Sequence, residues 1–149
     1  MIENLRSLLD SNNSILFVGI GNILKKDDGI GVYISNKIKT SDRIQSLTVE
    51  QSIENYIGKI NSLNPDLLIL IDCVNFNEKP GYTDLIPVPQ LLDHTTNTHN
   101  ISLGKISELF NMPVNVLGIQ PQNVSFGEGF SSVVKKSADK IISVIGRSI

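Results

Sequence analysis

The sequence predicts an α/β fold, a single three-layer domain over residues 1–149 with a mostly parallel twisted sheet of about five strands and helices on both faces. Three observations predict it. Short apolar runs alternate along the chain with apolar stripes at helical spacing. One run, Leu67-Leu68-Ile69-Leu70-Ile71, is apolar at every position, as a central strand covered on both faces must be. A length of 149 residues, with no internal repeat, low-complexity tract or Pro/Gly-rich linker, suits one core.

The elements follow in order. Ile2, Leu5 and Leu9 lie at helical spacing, and Ser11-Asn12-Asn13-Ser14 ends that segment. Ile15-Leu16-Phe17-Val18 reads as a buried strand running into Gly19-Ile20-Gly21-Asn22. A helix starts near Asp27 or Asp28 and continues through Ile30, Tyr33, Ile34 and Ile38. A second strand covers about residues 47–51, and the next helix carries Ile53, Tyr56, Ile57, Ile60 and Leu63 on one stripe. After the Leu67–Ile71 strand, Tyr82 to Val88 reads as an edge strand, because Pro87 and Pro89 cannot donate to a central ladder. A polar loop from Asp93 to Asn100 precedes a helix marked by Ile101, Ile106, Leu109 and Phe110. Val114 to Ile119 is the last strand, and Phe130, Val133, Val134, Ile141 and Ile145 form a closing amphipathic helix.

Composition narrows the classes of function. The net charge is -2, and the pairs Lys25-Lys26 and Lys135-Lys136 stand isolated, so no cationic stripe is available to displace the counterions of a nucleic acid. The single cysteine, Cys73, excludes an intrachain disulfide. With no apolar core in the N-terminal residues of the kind a secretory signal carries, this favours a reducing cytoplasm. No apolar run approaches the roughly 20 residues that span a bilayer. No exposed apolar stripe demands a partner, so a monomer is expected.

In a parallel α/β sheet the functional groups collect outside the carboxyl ends of the strands. Asp27-Asp28 follow the loop after the first strand, Asp72 follows the long apolar run, and His99 lies in the polar loop before a helix. If Asp28 and Asp72 converge, His99 completes a site of two oxygens and one nitrogen, which suits a borderline divalent ion such as nickel or zinc. Each residue also has a plainer reading. Asp27 or Asp28 can cap a helix, Asp72 can form a turn at a strand end, and His99 can cap the following helix or stand in solvent. His94 competes with His99, and composition does not separate them.

Other chemistries fit less well. Gly19 and Gly21 begin a G-x-G-x-x-G pattern whose third glycine would fall at Leu24, so a dinucleotide site is disfavoured. The glycines are read instead as making room for a sharp turn. Cys73 with His99 as base would make a thiol nucleophile, against which stands the ordinary role of a cysteine at a buried strand end as a small core residue. Neither a G-x-S-x-G elbow nor an H-E-x-x-H helix is present.

Four segments in register resemble the hydrogenase maturation proteases. Gly19-Ile20-Gly21-Asn22-Ile23-Leu24-Lys25-Lys26-Asp27-Asp28-Gly29-Ile30-Gly31 is similar to the family's glycine- and acid-containing signature. Leu68 to Val74 resembles its apolar strand ending in Asp, and Thr98-His99-Asn100-Ile101-Ser102-Leu103 resembles its histidine motif, which selects His99 over His94. Leu117-Gly118-Ile119-Gln120-Pro121 is similar to its late strand and turn, in the form of the formate-hydrogenlyase-type branch. The opening helix looks like an addition to the family's usual start, and Gln51-Ser52 replaces a segment that often contains glycine.

The resemblance implies an endopeptidase of aspartic or metal-dependent type. It would remove the C-terminal extension of a nickel-loaded hydrogenase large-subunit precursor, with Asp28, Asp72 and His99 contacting the metal. The nickel would arrive with the precursor. Two other classes use similar parts: a nickel-binding maturation chaperone that does not cut, and a nucleotide-binding module on a similar sheet.

Overall fold

The structure is a computed structural model that describes residues 1–93 and 98–147, without the side chains of residues 92–93 and 98–102. Five strands, β1 (Ile15–Ile20), β2 (Ile44–Glu50), β3 (Leu67–Cys73), β4 (Thr83–Pro87) and β5 (Val114–Ile119), form one sheet in the order β2-β1-β3-β5-β4. All neighbours are parallel except β4, which runs antiparallel to β5 at the edge. Among the described residues six helices, α1 (Ile2–Asp10), α2 (Ile30–Lys37), α3 (Ile57–Leu63), α4 (Val88–Asp93), α5 (Thr98–Ser107) and α6 (Ser132–Arg147), cover the sheet, and two 3₁₀ turns, Lys26–Gly29 and Ile53–Tyr56, lead into α2 and α3.

Strand alternation sorts the core into two layers. Ile15, Phe17, Ile69, Ile71 and Leu117 point to one face and pack against α1, α2 and α6. Leu16, Val18, Leu68, Leu70 and Val116 point to the other and pack against α3, α4 and α5. Both faces of β1 and β3 are closed off from solvent, which is why their sequences are continuous apolar runs. Each such aliphatic side chain contributes about 1.5–3 kcal/mol by leaving water. The opening helix packs Leu5 and Leu9 into the first layer. Its end is held by Ser11, whose hydroxyl donates to Leu8 C=O at 2.6 Å, and by Arg43, whose guanidinium donates to Leu9 C=O at 2.8 Å.

Several boundaries differ from the sequence reading. β2 starts at buried Ile44, earlier than expected, and stops where Glu50 takes φ 53°, leaving Gln51 outside the strand. β3 runs through Asp72 and Cys73, which pair with Gly118 and Ile119, so Asp72 belongs to the strand and not to a turn. The edge strand ends at Pro87, and Val88–Asp93 is a short helix, since Pro89 in a first turn lacks only an N–H that would be unpaired anyway. Helix α5 begins at Thr98, inside the segment read as loop, so His99 stands in its first turn. Leu63, placed on the apolar stripe of its helix, and Leu109, read as part of the helix before the last strand, are 45% and 57% exposed, and Leu109 lies beyond the end of α5. His94 lies outside the described residues. No described helix is long and apolar enough to cross a membrane.

Candidate active site

The strand order defines where the crevice must form. From β1 the chain passes through α2, on one face, to β2 on one side. It then returns through α3, on the other face, to β3 on the opposite side of β1. The carboxyl ends of β1 and β3 are therefore a topological switch point, where the loops diverge and leave a gap. Asp28 sits in the loop after β1, and Asp72 is the next-to-last residue of β3.

Glycine lets these two segments close on each other. A Cβ on Gly31, at the start of α2, would strike the backbone carbonyls of Ile71 and Ile20. Only hydrogen at this position allows α2 to begin directly over the ends of β1 and β3. Gly21, at φ +148°, performs the turn out of β1, and a Cβ there would collide with the carbonyl of Asp28.

The two adjacent acids divide into different tasks, and neither caps a helix with its side chain. Asp27 is completely buried. Its Oδ2 accepts the N–H groups of Gln122 and Asn123, each at 2.9 Å, and the hydroxyl of Ser131 at 2.7 Å, while its Oδ1 accepts the N–H of Ser131 at 2.7 Å. Burial pushes this carboxyl's pKa up, but the hydrogen bonds from Ser131, Asn123 and Gln122 outweigh it and hold the group below its ordinary value. Asp27 is thus a buried anchor for the loop after β5.

Asp28 is half-buried and faces a cleft. The N–H of Asn22 donates to its Oδ2 at 3.0 Å, which fixes the carboxylate against the turn. The cleft has a volume of ≈ 420 Å³ and is bordered by Ile20, Lys25, Gln51, Ile53, Glu54, Leu103 and Ile106 as well as Asp28. Leu103 and Ile106 come from α5, so that helix forms one wall.

Asp72 is 1% exposed, and its Oδ1 accepts the N–H of Cys73 at 2.8 Å. Cys73 beside it reports the local field. Its thiol pKa is raised far above normal, first by burial and then by the charges of Asp72, Asp28 and Asp27. Asp72, Asp28 and Asp27 all oppose a thiolate at that sulfur. A thiol held protonated in this way is no nucleophile, and Cys73 belongs to the apolar core beneath the site.

His99 lies on α5 four residues before Leu103, one helical turn upstream of the cleft wall, and its imidazole lies outside the described side chains. Among the described residues no three His, Cys, Asp or Glu side chains gather as metal ligands; Asp28 and Asp72 stand at the ends of the two switch-point strands, and Glu54 lines the cleft with Asp28. The sequence reading missed Lys25 and Ile53 as cleft residues, and its only mark on Gln51 was an unusual segment. Nothing in a lone Lys or Gln signals proximity to a site; that information lies in the strand order.

A doubly wound α/β sheet with acidic side chains at its switch point and a cleft walled by a helix defines the class of α/β proteins whose binding site lies outside the carboxyl ends of the strands. Comparison with known sequences narrows it: residues 51–148 match the model of the family described as hydrogenase maturation protease (HycI), and the chain belongs to that family. A Methanocaldococcus jannaschii protein provisionally named as a hydrogenase maturation protease is 27% identical over 162 residues, covering 97% of this chain and 94% of its own. The delta subunit of coenzyme F420 hydrogenase from Methanothermobacter thermautotrophicus is 27% identical, covering 88% of this chain and 91% of its own. The fold is that of the [NiFe] hydrogenase maturation protease HycI from Thermococcus kodakarensis, with a TM-score of 0.83 at 24% identity over 97% of each chain.

Proposed function

We propose that this chain is the endopeptidase that removes the C-terminal extension of a nickel-loaded hydrogenase large-subunit precursor, and that Asp28, Asp72 and His99 grip the nickel the precursor carries. The reading is supported by the placement of Asp28 in the loop after β1 and of Asp72 at the end of neighbouring β3, with Asp28 facing a cleft walled by the helix that bears His99. Two carboxylates and an imidazole make a donor set suited to a borderline divalent ion, with positions left for substrate or water. Asn22 holds one oxygen of Asp28, and the other has no hydrogen bond among the described residues.

Holding the substrate's metal would fix the adjacent peptide bond in the cleft, so that rate comes from positioning. The ion or a carboxylate would activate a water, whose oxygen attacks the carbonyl carbon. The C–N bond then breaks, and a proton passes to the leaving amine. Cys73 takes no part. The same reading places the protein in the cytoplasm as a monomer, where its one thiol stays reduced.

The test is incubation with the nickel-loaded large-subunit precursor, read by intact mass. Loss of a C-terminal peptide from the loaded precursor, with none from the nickel-free one, is the expected result. Tight nickel binding with no cleavage would overturn the reading in favour of a chaperone.

A further inference from the structure

Four exposed apolar side chains gather beside the cleft. Ile23 and Leu24 come from the loop after β1, and Val124 and Phe126 from the loop after β5, with Phe126 80% exposed. Exposed apolar side chains grouped on two joined loops mark an interaction site more often than scattered residues do. The two loops are fastened together. Gly127 N–H donates to Leu24 C=O at 2.9 Å, Lys26 N–H donates to Gly127 C=O at 3.1 Å, and Asp27 N–H donates to Asn123 C=O at 3.0 Å. Each loop is also braced by an asparagine: Asn22 Oδ1 accepts Leu24 N–H, and Asn123 Oδ1 accepts Ser125 N–H, both at 2.9 Å. Apolar groups displayed on a backbone bonded this thoroughly lose little freedom when a partner covers them.

The patch is continuous with the cleft. Lys25 borders the cleft, and its ammonium lies 5.7 Å from the centre of the Phe126 ring. Gln51 borders both the cleft and an adjoining groove of ≈ 230 Å³ formed with Asn22, Ile23 and Leu24. A projecting phenyl needs a concave apolar pocket to receive it. A folded protein surface provides one; an extended peptide tail does not.

We propose that Ile23, Leu24, Val124 and Phe126 form a docking surface for the folded body of the precursor protein, which leaves the cleft to take its C-terminal tail. The proposal rests on the precursor being the substrate, as set out above. Phe126 is the central knob, the kind of aromatic anchor that dominates protein interfaces.

The test replaces Phe126 with the photo-crosslinker p-benzoylphenylalanine, and separately makes Phe126→Ala and Leu24→Ala, with thermal melting to confirm the fold. On illumination, crosslinks to the nickel-loaded precursor are expected, and each alanine variant should lower kcat/KM about tenfold, the loss appearing in KM. Absence of precursor crosslinks together with an unchanged KM would overturn the docking surface, as would crosslinks only between two copies of this chain. If the chain carrying the crosslinker at position 126 crosslinks to the precursor but the wild-type chain does not cut it, the docking surface stands and the proposed activity fails.

Discussion

Ser131 closes on Asp27 across 104 positions of sequence, giving one hydrogen bond to each carboxylate oxygen, both at 2.7 Å. The contact ties the segment before α6 to the turn before α2, and so holds the wall of the site in place. The neighbouring acid, Asp28, is left to face the cleft.

Replacing Asp27 with Asn should therefore act on stability. The amide keeps the shape but cannot accept all the bonds that converge there, so a loss of about 2–4 kcal/mol is expected at neutral pH. The pH dependence follows from the lowered pKa of Asp27. A depressed carboxyl contributes fully above its unfolded value of 3.8 and loses that contribution as pH falls through the lower folded value. The stability gap between wild type and Asp27→Asn, measured by urea unfolding, should be constant near neutrality and shrink below pH 3.8. A gap that stays the same down to strongly acid pH would contradict the anchoring role.

Asp28→Asn and Asp72→Asn should each abolish precursor processing, with a rate loss of at least about 10²–10⁴-fold, and His99→Ala should do the same. Asp28→Asn should melt close to wild type, because Asp28 is half-buried with one described hydrogen bond. Normal processing by all three variants would remove these residues from the mechanism.

Cys73→Ala should cut precursor at the wild-type rate. Its thiol is buried and held protonated by its surroundings, so thiol-directed reagents should leave the folded enzyme active. The expected cost is a small cavity, on the order of 1 kcal/mol in chemical unfolding. Loss of cleavage by a well-folded Cys73→Ala variant would restore the thiol to the chemistry.

Gly31→Ala adds one methyl against the carbonyls of Ile71 and Ile20, neither of which can rotate away. Destabilisation of about 1–3 kcal/mol is expected. Activity should fall further than stability explains, because relief of the clash pushes α2 off the ends of β1 and β3 and separates Asp28 from Asp72. A variant as active as wild type at saturating substrate would show that this close approach is dispensable.

Much of the architecture was readable from pattern. The unbroken apolar run at residues 67–71 required a strand covered on both faces, and the proline at 87 required an edge; both follow from which groups can be buried or hydrogen-bonded locally. Boundaries were less legible. The start of α5 was hidden because Thr98, His99 and Asn100 are polar residues without helical periodicity, and a first helical turn needs no apolar face. The reach of β3 through Asp72 was hidden because a carboxylate within a strand reads as its end.

The chain's local chemistry settled the layering, the edge strand and the short list of candidate polar residues, since periodicity and donor type are written in consecutive residues. Folding settled the rest: which of two adjacent aspartates became a buried anchor and which faced the cleft, and that Cys73 became core. Those outcomes depend on partners such as Ser131, Gln122 and Ile71, brought close only by the order of strands in the sheet. Burial and hydrogen-bond count, not residue type, separate Asp27 from Asp28, and both are properties of the packed molecule.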